Sequence, residues 1–287
     1  MVVATAVTAV LLLLGGVGVV YASAARADSA HRSAVAELET IRQHNNAIYD
    51  ALADPTLNAR LDNAADVRQA KSAMDDYRAV LGGSIRKVES DLVGLQDEQA
   101  QLSSAQQGPL AVMGRAQLTR DRARVDAAAR AFASAAKFLT TVDSQTRAIN
   151  TILAGLVELD VVVAYANNND LSGAHAQVPQ LEQQLQDAAT LAKNPGMPPQ
   201  LMPLIDSLSE SVDDLDKALV AIQNKDYATA GAMISYLEAD SKAVAGSFDV
   251  AAFNAFEHKT LDPYKAAYQD QMRKAGFQIQ NQVQNQA

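Results

Sequence analysis

"LDKALVAIQNKDYATAGAMISYLE", Leu215 to Glu238, repeats the plan of "LDVVVAYANNNDLSGAHAQVPQLE", Leu159 to Glu182, at an offset of fifty-six residues. Leu159, Asp160, Asn168, Asp170, Ala174, Ala176, Leu181 and Glu182 return as Leu215, Asp216, Asn224, Asp226, Ala230, Ala232, Leu237 and Glu238. The apolar seam returns with them: Ile152, Leu156, Leu159 and Val163 become Leu208, Val212, Leu215 and Leu219. Steps of three and four residues put each set on one face of a helix. Each copy therefore reads as a helix, a turn at Asn-x-Asp and a second helix. Asp170 and Asp226 stand at N-cap positions, where a carboxylate accepts from the first free backbone N–H groups. "KNPGMPPQ", Lys193 to Gln200, reads as the linker between copies. Stacking the two hairpins lets each cover the apolar stripe that the other leaves open.

Working toward the N-terminus, the spacing becomes heptad. Met74, Leu81, Val88, Leu95 and Leu102 fall seven apart, with Ile85 and Leu92 as companions, and predict a helix from Asp66 to Gln106. Gly108-Pro109 stops it. Leu118, Val125, Phe132 and Leu139 then resume the seam beside Ala128, Ala135, Val142, Ile149 and Leu156. Two long seamed helices joined by a short break predict an antiparallel, coiled-coil-like hairpin. Before it, Val35, Leu38, Ile41, Ile48 and Leu52 mark one further amphipathic helix, ended at Asp54-Pro55.

Composition agrees with an all-α class. Aromatics are 5% and Trp is absent, which suits helices that approach over small side chains and suits sheets poorly. The net charge of -9, with no run of Lys or Arg, argues against nucleic acid as a partner. The chain has no Cys, which excludes disulfides and thiolate metal sites.

Val2 to Ala22 carries no charge over twenty-one residues. That matches the ~20 residues needed to cross a bilayer core. Two small-x-small patterns follow, at Ala22-Ser23-Ala24 and Ala25-Arg26-Ala27, so residues 1–24 read as a signal peptide or a transmembrane anchor. Arg26 and Arg32 lie just after the apolar run, and a positive-inside count taken alone places the bulk of the chain in the cytoplasm. The cleavage-like flank favours the outside, and an extracytoplasmic chain is the expectation. No second apolar run is read in the sequence, so at most a single pass is expected. The remaining segments are residues 25–142, holding the membrane-proximal helix and long hairpin; 143–277, the repeated hairpins; and 278–287, a polar tail.

The turn "NKDYATA", Asn224 to Ala230, resembles the inter-helix turn of tetratricopeptide repeats, whose pattern is Gly-Asp-Tyr-x-x-Ala. The resemblance covers residues 215–240, with a fainter copy at 159–182. Here Lys225 replaces the family's Gly, and the spacing of fifty-six is not its ~34. What the resemblance implies is a helical hairpin used as an interaction surface.

No chemistry-bearing motif emerges. His31, His44, His175 and His258 form neither HExxH nor a Glu-x-x-His pair, and each reads as a solvated or capping residue. Asp213, Asp214 and Asp216 lack the alternation and central Gly of a calcium loop. Asp160 adjoins the seam and reads as its edge; if buried, it would need Arg147 or Lys137 as a partner. Neither a phosphate loop nor a Gly-x-Ser-x-Gly elbow is present. The expectation is a non-catalytic protein-interaction module without cofactor or metal, held to the membrane through residues 2–22. The alternative is an extracytoplasmic small-ligand-binding or sensor-type helical bundle that modulates a receptor, since long helices after an anchor resemble chemoreceptor and histidine-kinase input domains. Tyr227, Tyr236, Phe253, Phe256, Tyr264 and Tyr268 are the candidate partner or ligand surface, and the aromatic segment after Gly246 is expected to cap the second hairpin.

Overall fold

The computed structural model describes residues 24–45, 60, 64–107, 114–247 and 249–277. The apolar run at 2–22, the Gly108-Pro109 break and the tail at 278–287 lie outside the described residues. Seven helices and no strand occur among the described residues. They are α1 (24–45), α2 (Val67–Gln106), α3 (Arg115–Asn167), α4 (Leu171–Ala192), α5 (Leu201–Gln223), α6 (Tyr227–Ser247) and α7 (Val250–Lys274).

The chain forms two compact units built from separate segments. The first takes Met1–Leu52, Ser84–Lys137 and Tyr264–Ala287; the second takes Ala53–Gly83 and Phe138–Pro263. Helices α2, α3 and α7 each contribute to both.

The first unit is a bundle of α1 with parts of α2, α3 and α7. The heptad stripes face inward: Val88, Leu95 and Leu102 on α2 are buried, as are Leu118, Val125 and Phe132 on α3. The companion positions differ from expectation. Ile85 and Leu92 are only half-buried, and the buried partners of the α2 stripe are Asp91 and Glu98. On α1 the stripe is Ala34, Leu38 and Ile41, while Val35 faces outward. The α7 segment brings Tyr268, Met272 and Phe277 into this core, with the Tyr268 ring tilted against Phe132 at 6.3 Å between centroids.

In the second unit, α2 and α3 pair antiparallel through Asn150 with Asp75 and Arg78 with Asp143. Then the hairpins stack. Ala148, Ile152 and Val162 of α3, Ala174, Val178, Leu181 and Leu185 of α4, and Leu201, Ile205, Val212 and Leu219 of α5 form one apolar core. Helix α4 packs on α5, and α5 on α6. The "KNPGMPPQ" segment is more than a linker: Met197 is buried in that core, and the buried Gln145 side chain donates to the Gly196 carbonyl at 2.9 Å.

By length and composition, α3 is the one described helix able to cross a membrane. The expectation of a single apolar run missed it, because Glu158 and Asp160 interrupt the run by eye. The apolar half of α3 supplies Ile152 and Val162 to the core of its unit, but most of that stretch is not buried, and Val163 and Tyr165 are exposed.

Candidate functional site

The two repeat turns are superimposable bond by bond. In the first, the Asn169 N–H donates to Ala166 O at 2.9 Å and the Asp170 N–H to Tyr165 O at 3.0 Å. In the second, Lys225 donates to Ile222 O at 3.0 Å and Asp226 to Ala221 O at 2.9 Å. Every partner is displaced by fifty-six residues. Both are Schellman closures, with Asn169 at φ 61° and Lys225 at φ 60° in the left-handed region. The residue after each is also the next N-cap: Asp170 Oδ1 accepts from Gly173 N at 2.8 Å and Asp226 Oδ1 from Thr229 N at 3.1 Å. One αL residue followed by one cap reverses the chain. This accounts for the tetratricopeptide-like signature, because Lys225 occupies the position at which that pattern places its Gly.

Equivalent turns do not give equivalent surroundings. On α4, Leu171, His175 and Val178 form a stripe toward α5. Leu171 packs on the shared core, the His175 Nδ1–H donates to Asp216, and Val178 is 2% exposed. The corresponding residues on α6 are Tyr227, Gly231 and Ile234. Tyr227 is 69% exposed and Ile234 45%, and a Cβ added at Gly231 would meet nothing within 4 Å. Tyr236 on the same helix is also exposed. Terminal units of a hairpin stack ordinarily turn a polar face outward. Among its described side chains this stripe instead exposes Tyr227 and Ile234.

The six aromatic candidates are divided between the units. Tyr227 and Tyr236 are both exposed on α6, but they lie about 180° apart around its axis, and only Tyr227 belongs to the open stripe. Phe253 packs against the core of the second unit, and Phe256 is half-buried. Tyr264 and Tyr268 belong to the first unit. Tyr268 is 1% exposed and donates its hydroxyl to Asn45, so it is a core residue and no surface. Phe253 of the aromatic segment packs against the second unit's core, while Tyr227 and Ile234 on α6 remain exposed.

A polar layer inside the first unit is what the sequence reading missed. The His31 Nδ1–H donates to Asp121 at 2.7 Å and the His44 Nδ1–H to Asp91 at 2.9 Å. The Ser33 hydroxyl donates to Glu98 Oε2 at 2.6 Å, while Glu98 Oε1 is buried without a hydrogen-bond partner. Asp91, Glu98 and Asp121 are all buried. The signal was in the heptad: Asp91 and Glu98 follow Val88 and Leu95 by three residues, and Asp121 precedes Ala128 by seven. Burial, then the charges of Asp91 and Glu98, push the Glu37 carboxyl above its ordinary value, with His44 opposing. Burial and Asp91 likewise push the Tyr268 phenol up. A slip of α1 along its neighbours would leave the buried carboxylates of Asp91, Glu98 and Asp121 without these donors, so the bonds fix its register. Ser33 bonds Glu98 and not a histidine, so the layer does not form a Ser-His-Asp relay.

The other histidines also hold aspartates: His175 bonds Asp216 and His258 bonds Asp262. Asp160 is exposed, and Arg147 pairs with Asp143 instead. Among the described residues no group of three or more His, Asp or Glu is placed to hold a metal ion. Comparison with known proteins adds no relative: no family model, curated protein or solved structure matches this chain.

Proposed function

We propose that this chain is a membrane-anchored or exported helical module, held through residues 2–22, that works by binding protein at the α6 face of its second hairpin. One observation carries the reading. The stripe Tyr227–Gly231–Ile234 is open where its counterpart Leu171–His175–Val178 is covered, and an apolar helix face of this kind is filled by another helix.

A single experiment addresses both parts. With no native Cys, Gly231→Cys supplies one thiol at a position with room for it. A membrane-impermeant maleimide added to intact cells reports the side, and labelling before lysis is the expected result. Labelling only after lysis places the face in the cytoplasm and overturns the extracytoplasmic part. A photo-cross-linker carried by the same thiol is expected to give a discrete protein adduct in native membranes. Absence of any adduct sinks the interaction reading.

A further inference from the structure

The same offset that pairs the two turns also pairs two open edges. On α5, Asp216 and Leu219 form the edge toward α4: Asp216 accepts from His175, and Leu219 lies in the core with Ala174 and Val178. Their counterparts on α3 are Asp160 and Val163. Asp160 is exposed and Val163 is 42% exposed. Among the described residues, the second unit therefore carries an edge like that of α5 with no α4-like face upon it. At α6 it carries, among the described residues, a face like that of α4 with no α5-like edge upon it. Within the chain, the covered versions of these two surfaces already bind each other.

We propose that the α6 face of one copy receives the Asp160–Val163 edge of α3 from a second copy, continuing the hairpin stack from molecule to molecule. The inference rests on α6 being the working face, and it names the occupant. Ile234 would sit as Val178 does, and Val163 as Leu219 does. Gly231, replacing His175, lets the incoming helix approach without a side chain in the way. The contact is heterologous, so each copy keeps one free face of each kind and the assembly grows as an open row. The contact set is small, which makes the pairing weak in free solution. Confinement to one membrane raises the effective concentration of the faces.

The test uses the full-length chain in bilayers. Gly231→Cys and Asp160→Cys proteins are mixed and treated with a short bismaleimide. A dimer is expected in the mixture and in neither variant alone. Val163→Asp or Ile234→Asp in the cross-linking partner is expected to abolish it. Both positions are exposed, and an unchanged thermal transition confirms that each variant folds. A mixture of the Val163→Asp and Ile234→Asp proteins retains one intact interface and is expected to stop at dimers, whereas wild type forms longer rows. No dimer in the mixture, or a dimer of Gly231→Cys with itself, overturns the proposal. Cross-linking of Gly231→Cys only to a different membrane protein also overturns it, while leaving the interaction reading in place. Cross-linking to nothing removes both.

Discussion

The two copies of the repeat share a turn and differ in what lies beside them. In the first hairpin the stripe on α4 is covered by α5; in the second the equivalent stripe on α6 is open. Local sequence acts within a few residues and builds the same closure twice. Burial is set by the neighbour, and among the described residues the second copy leaves Tyr227 and Ile234 exposed at that face. The comparison separates what a repeat inherits from its own residues from what it receives from its position in a stack.

The largest expected effect breaks or keeps that contrast directly. Val178→Ala removes buried methyl groups and should lower the unfolding free energy by about 2 kcal/mol, whereas Ile234→Ala should change it by less than about 0.5 kcal/mol. Urea denaturation of dilute protein measures both. Equal losses would mean that α6 is covered after all.

The caps come next. Asp170→Ala should cost about 1 kcal/mol through loss of the bond from Gly173. Asp226→Ala should lower the melting temperature further than Asp170→Ala, because Asp226 also accepts from the Thr229 hydroxyl. Thermal scans of the two variants side by side give the order, and the reverse order would show that the turns are less alike than their bonds.

The left-handed positions should then respond in the opposite direction. Lys225→Gly should stabilise by about 1 kcal/mol, since a side chain at positive φ crowds the following carbonyl. Asn169→Gly should gain less, because Asn tolerates this region better than Lys. Chemical denaturation of the two variants compares the gains.

The smallest effect is in pH and sets the second turn against the bundle of the first unit. The Thr229 hydroxyl, and then its backbone N–H, hold Asp226 below the ordinary carboxylate value of 3.8. Its contribution is present above that value and fades as pH falls through the folded-state pKa. Glu37 has the opposite sign. Raised by burial and by Asp91 and Glu98, its contribution is complete below 4.5 and fades as pH rises through the folded-state pKa. Asp226→Asn should therefore lose stability at neutral pH, and Glu37→Gln should gain it, with both differences closing on acidification. Melting temperatures across the acid range, between about pH 3 and pH 7, check the two signs together.

Much of the architecture was legible because helical periodicity is a short-range signal. The heptad reading predicts a helix from Asp66 to Gln106, and α2 runs from Val67 to Gln106. Asp170 and Asp226 cap where the Asn-x-Asp pattern places them. The polar layer was not read, since an acidic residue three positions past a seam Leu is equally compatible with a solvated flank. Only the approach of His31, Ser33 and His44 from α1 makes the inward position tenable for Asp121, Glu98 and Asp91. Tyr268 was read as surface for a related reason. An aromatic near a polar tail carries no local mark of the core it will join.

By itself, the sequence determined the all-α class, the long seamed helices, the repeat and the residues that turn each hairpin. These depend on propensity, spacing and capping within a few residues of each other. Tertiary structure decided which carboxylates enter the first unit's core, that Met197 of the linker is packed into the second unit's core, and that Ile234 stays open while Val178 is buried. Those outcomes depend on which segment arrives as a neighbour from far along the chain. No local pattern encodes the arrival of that neighbour, because burial belongs to the contact and not to the residue.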